Sequence, residues 1–102
     1  MTDRYPKIFR VRQKFARPRV VDVPGMVREE LARIGLERRV QPGETVAITA
    51  GSRGITNIHL VLKAAVEFFQ TAGARPFIVA AMGSHGGGTA DGQRAILANY
   101  GV

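Results

Sequence analysis

Residues 45–54 of this 102-residue chain read Thr-Val-Ala-Ile-Thr-Ala-Gly-Ser-Arg-Gly, and residues 77–86 read Phe-Ile-Val-Ala-Ala-Met-Gly-Ser-His-Gly. Each stretch opens with an apolar, β-rich run that predicts a strand and closes with the frame Gly-Ser-X-Gly, which predicts a loop. The second frame follows the first by 32 residues, about the length of one β-loop-α unit. The two stretches therefore predict a repeated strand and loop, each followed by a helix.

Helical signals follow both loops. Thr56 and Asn57 offer N-caps for a helix over 58–72, which Gly73 would end, and Thr89 offers a cap for a last helix over 90–99. The first of these helices is apolar over most of its circumference, which predicts packing on more than one side.

Short links between alternating strands and helices predict parallel strands joined by a right-handed crossover. We therefore expect a single α/β domain over 1–102, Rossmann-like and part of a larger two-domain fold. Its strands would lie at 45–50 and 77–82. The continuous apolar run of the second strand predicts that both of its faces are covered.

The first part of the chain, residues 1–42, reads as a basic strand and helix preceding the two β-loop-α units of 43–102. Alternation predicts a strand over 7–15 and a short extended piece over 20–23, and Pro24-Gly25 is expected to turn the chain. Apolar spacings of three and four predict a helix over 26–34, which Gly35 would end. Residues 41–44 read Gln-Pro-Gly-Glu and predict a further turn.

The net charge of +7 is concentrated in that first part: residues 1–42 carry 11 Lys and Arg against 5 Asp and Glu, whereas residues 43–102 carry 4 against 3. Two interpretations remain open, a solvated strand face that meets another domain and a surface that binds a polyanion. The chain lacks recognition signatures for helix-turn-helix, zinc-finger and RNA-stacking modules, which disfavours nucleic acid.

Several classes of site are excluded by composition. The chain has no cysteine, so disulfides, thiolate metal sites and thiol nucleophiles are impossible. No apolar run suits a signal peptide or a membrane helix, and the cytoplasm is the default location. The glycine-rich loops fit neither the dinucleotide fingerprint nor the P-loop, and neither serine has the nucleophile-elbow frame.

Arg53 and His85 occupy the X position of the two frames. Ligands of parallel α/β sheets bind beyond the carboxyl ends of the strands, where both loops are expected to lie. Arg53 would offer a two-pronged donor to a carboxylate or phosphate, and His85 would suit general acid–base work. Their loop neighbours complete the predicted binding site: Ser52, Gly83, Ser84 and Gly86. The second histidine, His59, is expected to have a local role.

The motifs Val46-Ala-Ile-Thr-Ala-Gly-Ser-Arg-Gly-Ile55 and Phe77-Ile-Val-Ala-Ala-Met-Gly-Ser-His-Gly-Gly-Gly-Thr-Ala-Asp-Gly-Gln93 resemble the N-terminal domain of the nickel-pincer lactate racemase family. The resemblance covers roughly residues 40–102, and the second motif is the more specific. It implies an isomerase that interconverts the two enantiomers of a 2-hydroxy acid through hydride transfer to a nickel-pincer nucleotide. By the same resemblance, His85 is a catalytic acid–base residue and Arg53 helps to hold the substrate.

The resemblance also implies what this chain would need. The family's cofactor-attaching lysine, nickel-ligating histidine and second catalytic histidine lie further along than these 102 residues reach. We therefore expect a fragment that is inactive alone, binds no cofactor or metal by itself, and works with a C-terminal domain of the same enzyme. Exposed apolar surface in such a chain would permit homo-oligomers. Where the family's racemases usually have an acidic residue, this chain has Ala50, which favours a 2-hydroxy acid other than lactate.

Overall fold

The computed structural model describes residues 4–102 and contains two strands and three α-helices. The strands are β1 (Thr45–Ala50) and β2 (Arg75–Ala80), and the helices are α1 (Val23–Arg33), α2 (Ile58–Thr71) and α3 (Ala90–Asn99). Short 3₁₀ turns occupy Leu36–Arg38 and His85–Gly88. The mixed helix and strand content confirms the α/β class.

The two strands pair in parallel, with Thr45 opposite Arg75 and Ala50 opposite Ala80. This confirms the orientation predicted from the short crossover. β1 has the predicted bounds, whereas β2 begins and ends two residues earlier than the apolar run suggested. The reason is pairing: β2 extends only as far as β1 supplies a partner, and the ladder closes where the Ala81 N–H donates to the Ala50 carbonyl.

The core lies between one face of this sheet and the helices. Its buried side chains include Ala50 of β1, Ile58 and Leu62 of α2, and Leu97 of α3. α2 packs against both strands on one side and against α1 on the other. The predicted packing of α2 on more than one side is therefore confirmed.

The opposite face of the sheet is open among the described residues. Phe77 is 50% exposed and Val79 is 38% exposed, so the prediction that this strand is covered on both faces is wrong for residues 4–102. Exposure alternates along β2 because one face of the strand is packed and the other is uncovered.

Residues 4–22 form neither strand nor helix, so the strand predicted over 7–15 and the extended piece predicted over 20–23 are both wrong. An isolated strand has no ladder to satisfy its backbone, and none of the described residues pairs with this segment. Phe9 is consequently 79% exposed. The chain's radius of gyration is 20.0 Å, against about 13 Å for a compact domain of this length.

The helix predicted over 26–34 begins three residues earlier, at Val23. The Asp22 carboxylate accepts a hydrogen bond of 3.0 Å from the Gly25 N–H, and Pro24 occupies the first turn, where a missing N–H costs nothing. The prediction of a turn at Pro24-Gly25 is therefore wrong, because both residues lie in the first turn of α1. The helix's last turn carries an ion pair in which the Arg33 guanidinium, by hydrogen bonding, lowers the pKa of Glu30.

The other predicted ends and turns are confirmed. Gly35 adopts a left-handed conformation after α1, Gly73 does so after α2, and the Glu44 N–H donates to the Gln41 carbonyl across the turn between them. α3 has the predicted bounds. No helix formed by residues 4–102 combines the length and hydrophobicity that a membrane crossing requires.

Candidate functional site

The site is built from the two loops that leave the sheet at the same edge. Residues 51–57 follow β1 and lead into α2, and residues 81–89 follow β2 and lead into α3. Because the strands are parallel and in register, both Gly-Ser frames emerge side by side. The two loops that repeat in the sequence therefore occupy equivalent, neighbouring positions in the fold.

Arg53 and His85 meet across the gap between the loops. The Arg53 Nη2 atom lies 3.5 Å from the His85 Nε2 atom. A guanidinium can only donate, so Nε2 is the acceptor in this contact when the imidazole is neutral with its proton on Nδ1. The Nδ1 atom is buried and has no hydrogen-bond partner among the described residues. His85 is thus held with one ring nitrogen inward and Nε2 toward Arg53.

All six predicted site residues line one open cavity of about 650 Å³. They are Ser52, Arg53, Gly83, Ser84, His85 and Gly86. The lining contains a guanidinium, an imidazole and two hydroxyls but no carboxylate, so its polar groups suit an anionic ligand. Met82 and Gly87 also line the cavity, and sequence reasoning had not assigned them to it.

Sequence reasoning also missed Gln93, the residue that fixes the second loop. Its side-chain amide donates to the Gly83 carbonyl at 2.8 Å and to the His85 carbonyl at 3.2 Å. Gln93 lies in the first turn of α3, from where a side chain leans back toward the preceding loop. A polar residue at that position after a glycine-rich loop was the available signal.

The second loop is also packed against the start of α3. A Cβ atom added to Gly86 would lie 2.7 Å from the Gly92 carbonyl carbon, so neither glycine can carry a side chain without moving the backbone. The Thr89 hydroxyl caps α3 by accepting from the Gly92 N–H at 3.1 Å, which confirms its predicted role. Gly86 additionally has a positive φ of 66°.

The first loop is held less firmly. Asn57 occupies the N-cap position of α2, but its backbone is left-handed (φ 61°) and its side chain makes no capping hydrogen bond. The predicted caps of this helix, Thr56 and Asn57, are therefore wrong as side-chain caps. His59 lies in the next turn with its ring against the position of Gly101 and does not line the cavity.

The donor set of the described residues does not fit a nickel site. No group of three or more His, Asp or Glu side chains among residues 4–102 is close enough to hold a metal ion.

Comparisons with protein-family models, with curated proteins and with solved structures found no match to this chain.

Proposed function

We propose that this chain is the N-terminal, substrate-side part of a nickel-dependent racemase or epimerase, in which Arg53 and His85 hold a 2-hydroxy acid. The observation that carries the proposal is the 3.5 Å approach of Arg53 to His85 at the ends of neighbouring parallel strands. The family resemblance supplies the reaction class. The same proposal includes a Rossmann-like sheet that extends into a larger two-domain protein.

Within this site the side chains have separate tasks. The Arg53 guanidinium binds the substrate carboxylate through two N–H groups, and the hydroxyls of Ser52 and Ser84 orient the substrate. His85 Nε2 takes the proton of the 2-hydroxyl group and later returns it. Loss of that proton favours departure of the hydride on the adjacent carbon. By the resemblance, a cofactor would accept the hydride, and a second domain or a partner chain would have to hold that cofactor.

The first test is binding, because it needs only this chain. We expect lactate or a longer 2-hydroxy acid to shift the NMR signals of His85 and Arg53. Arg53→Gln should weaken binding about tenfold or more, since a charged hydrogen bond contributes about 1.5–3 kcal/mol. Arg94→Gln is the matched control, because Arg94 is an exposed arginine of α3 that does not line the cavity. Equal binding by both variants would contradict the proposal.

The second test concerns the reaction. The intact mass of the native gene product should correspond to a chain several times longer than 102 residues. That product, with its cofactor, should racemise a 2-hydroxy acid. We expect His85→Ala to abolish turnover in that enzyme without loss of the fold, as read by chiral chromatography and circular dichroism. Retained turnover would refute the role of His85. Racemisation by the 102-residue chain alone would refute the expected inactivity.

A second candidate function, binding of a polyanion such as nucleic acid, is favoured by one observation. Residues 4–21 carry seven Lys and Arg and no Asp or Glu, and all of them are exposed. Replacing Arg10, Arg12 and Lys14 by Ser should then reduce both affinity for an oligonucleotide and its salt dependence. Arg53→Gln should leave both unchanged. Affinity that follows Arg53 instead would exclude this candidate.

A further inference from the structure

Among residues 4–102, no strand pairs with the outer edge of β2, and a groove lies beside this edge. The N–H groups of Arg75 and Ala81 donate to the carbonyls of Glu44 and Ala50 at 2.8 Å, so the odd-numbered residues of this strand face β1. In a parallel ladder the intervening residues point their backbone groups the other way. Ile78 and Ala80 therefore present unpaired N–H and C=O groups at the free edge.

The groove along this edge is apolar and large enough for a strand. It has a volume of about 630 Å³ and is bounded by β2 on one side and by α3 on the other, including Leu97 and Ala98. A strand seated there would bond to Ile78 and Ala80 and place alternate side chains on α3. The edge thus offers what β-strand addition requires, namely free backbone N–H and C=O groups on β2 and apolar side chains beside them on α3.

The N-terminal segment has the complementary pattern. In residues 7–15, Phe9, Val11 and Phe15 share one face of an extended chain. The opposite face carries Ile8 together with Arg10, Arg12 and Lys14. Phe9, Val11 and Phe15 are each at least 70% exposed, so the isolated chain gains almost no hydrophobic stabilisation from them and their burial in a partner would be favourable.

The segment does not occupy the groove of its own chain, since no backbone hydrogen bond joins residues 7–15 to β2. It joins α1, which packs against α2, whereas the groove lies between β2 and α3. The described chain, with this segment included, measures 75, 35 and 23 Å along its principal axes, and the segment extends away from the sheet and helices. Nothing among residues 22–102 covers it.

We propose that residues 7–15 of one copy add as a third strand to the free edge of β2 in a second copy, with Phe9 and Val11 packed on α3. The exchange is reciprocal, so the two copies form a closed two-fold dimer. The basic face of the added strand stays in solvent. This proposal does not depend on the function of the Arg53–His85 site.

The test is light scattering coupled to size exclusion, over a range of concentrations of the full chain. We expect a dimer whose dissociation constant rises about tenfold or more for the double variant Phe9→Ser and Val11→Ser, because two apolar side chains lose burial. Ile8→Ser is the matched control: Ile8 is 96% exposed on the opposite face, and its loss should leave the dimer intact. A monomer at every concentration, or equal effects of both changes, would overturn the proposal.

A second pair of variants tests the groove without touching the segment. Ala98 and Ala95 are both exposed residues of α3, but only Ala98 lines the groove. We expect Ala98→Lys to dissociate the dimer and Ala95→Lys to leave it unchanged, with circular dichroism confirming that both fold. Isotope-filtered NMR on a mixed labelled sample should show Phe9 of one copy near Ala98 of the other. Contacts within one copy only would overturn the exchange.

Discussion

The two Gly-Ser loops share a sequence frame and a place in the fold, but they are held differently. The loop that carries His85 is tied to α3 by Gln93, by the Thr89 cap and by the contact of Gly86 with Gly92. The loop that carries Arg53 has no side-chain cap at the start of α2. In the proposed site, we therefore expect His85 to be held in position and Arg53 to move more freely when a ligand binds.

The largest expected effect is a difference in unfolding free energy between alanine substitutions of the last glycine in each Gly-Ser-X-Gly frame. Gly54 and Gly86 have nearly the same φ, 72° and 66°, but a Cβ on Gly54 meets nothing within 4 Å, whereas one on Gly86 meets backbone atoms of Gly92 and Gln93 at 2.7–2.9 Å. Gly54→Ala should therefore cost only left-handed strain, about 1–2 kcal/mol. Gly86→Ala should cost that and a backbone displacement, about 3 kcal/mol or more of unfolding free energy.

Urea denaturation of both variants measures this difference. Gly87→Ala is a further control, because its φ is 72° and its Cβ would lie in open space. It should resemble Gly54→Ala. If Gly86→Ala and Gly54→Ala lose equal stability, the second loop is not packed on α3 as described.

The next effect concerns the amide of Gln93. Gln93→Leu keeps the size of the side chain but removes both hydrogen bonds to the loop carbonyls, so we expect a loss of about 1–2 kcal/mol. The loop around His85 should also become more mobile, which amide hydrogen exchange at residues 83–86 would detect. Arg94→Ala, one residue along and exposed, is the control for helix propensity. Unchanged exchange in Gln93→Leu would show that Gln93 does not fix the loop.

The β-loop-α region was predictable from sequence because its signals are local and mutually consistent. A β-rich run, a glycine loop and a helix recur in that order, and short links between them favour parallel strands. The same reasoning brought Arg53 and His85 to one edge. Gln93 was missed because its role depends on which carbonyls its amide meets across the loop, and that is a tertiary contact.

The N-terminal segment was predicted wrongly because a strand pattern does not supply a partner strand. Residues 7–15 alternate as a strand would, yet in the described structure they pair with nothing. β-propensity reflects how well a side chain fits a pleated, half-buried surface rather than a backbone preference. The proposed exchange between copies would supply that surface, so the pattern and the structure would then agree.

The smallest expected effect compares the N-caps of the two helices that the loops enter. Thr89→Ala removes the hydroxyl that accepts from the Gly92 N–H and should cost about 1 kcal/mol. Thr89→Ser keeps the cap and should restore most of that loss. Asn57 makes no cap and has a left-handed backbone, so Asn57→Gly should change stability by less than about 0.5 kcal/mol or raise it slightly. Thermal or urea unfolding resolves the three variants, and a loss in Asn57→Gly as large as that in Thr89→Ala would mean that both loops are capped alike.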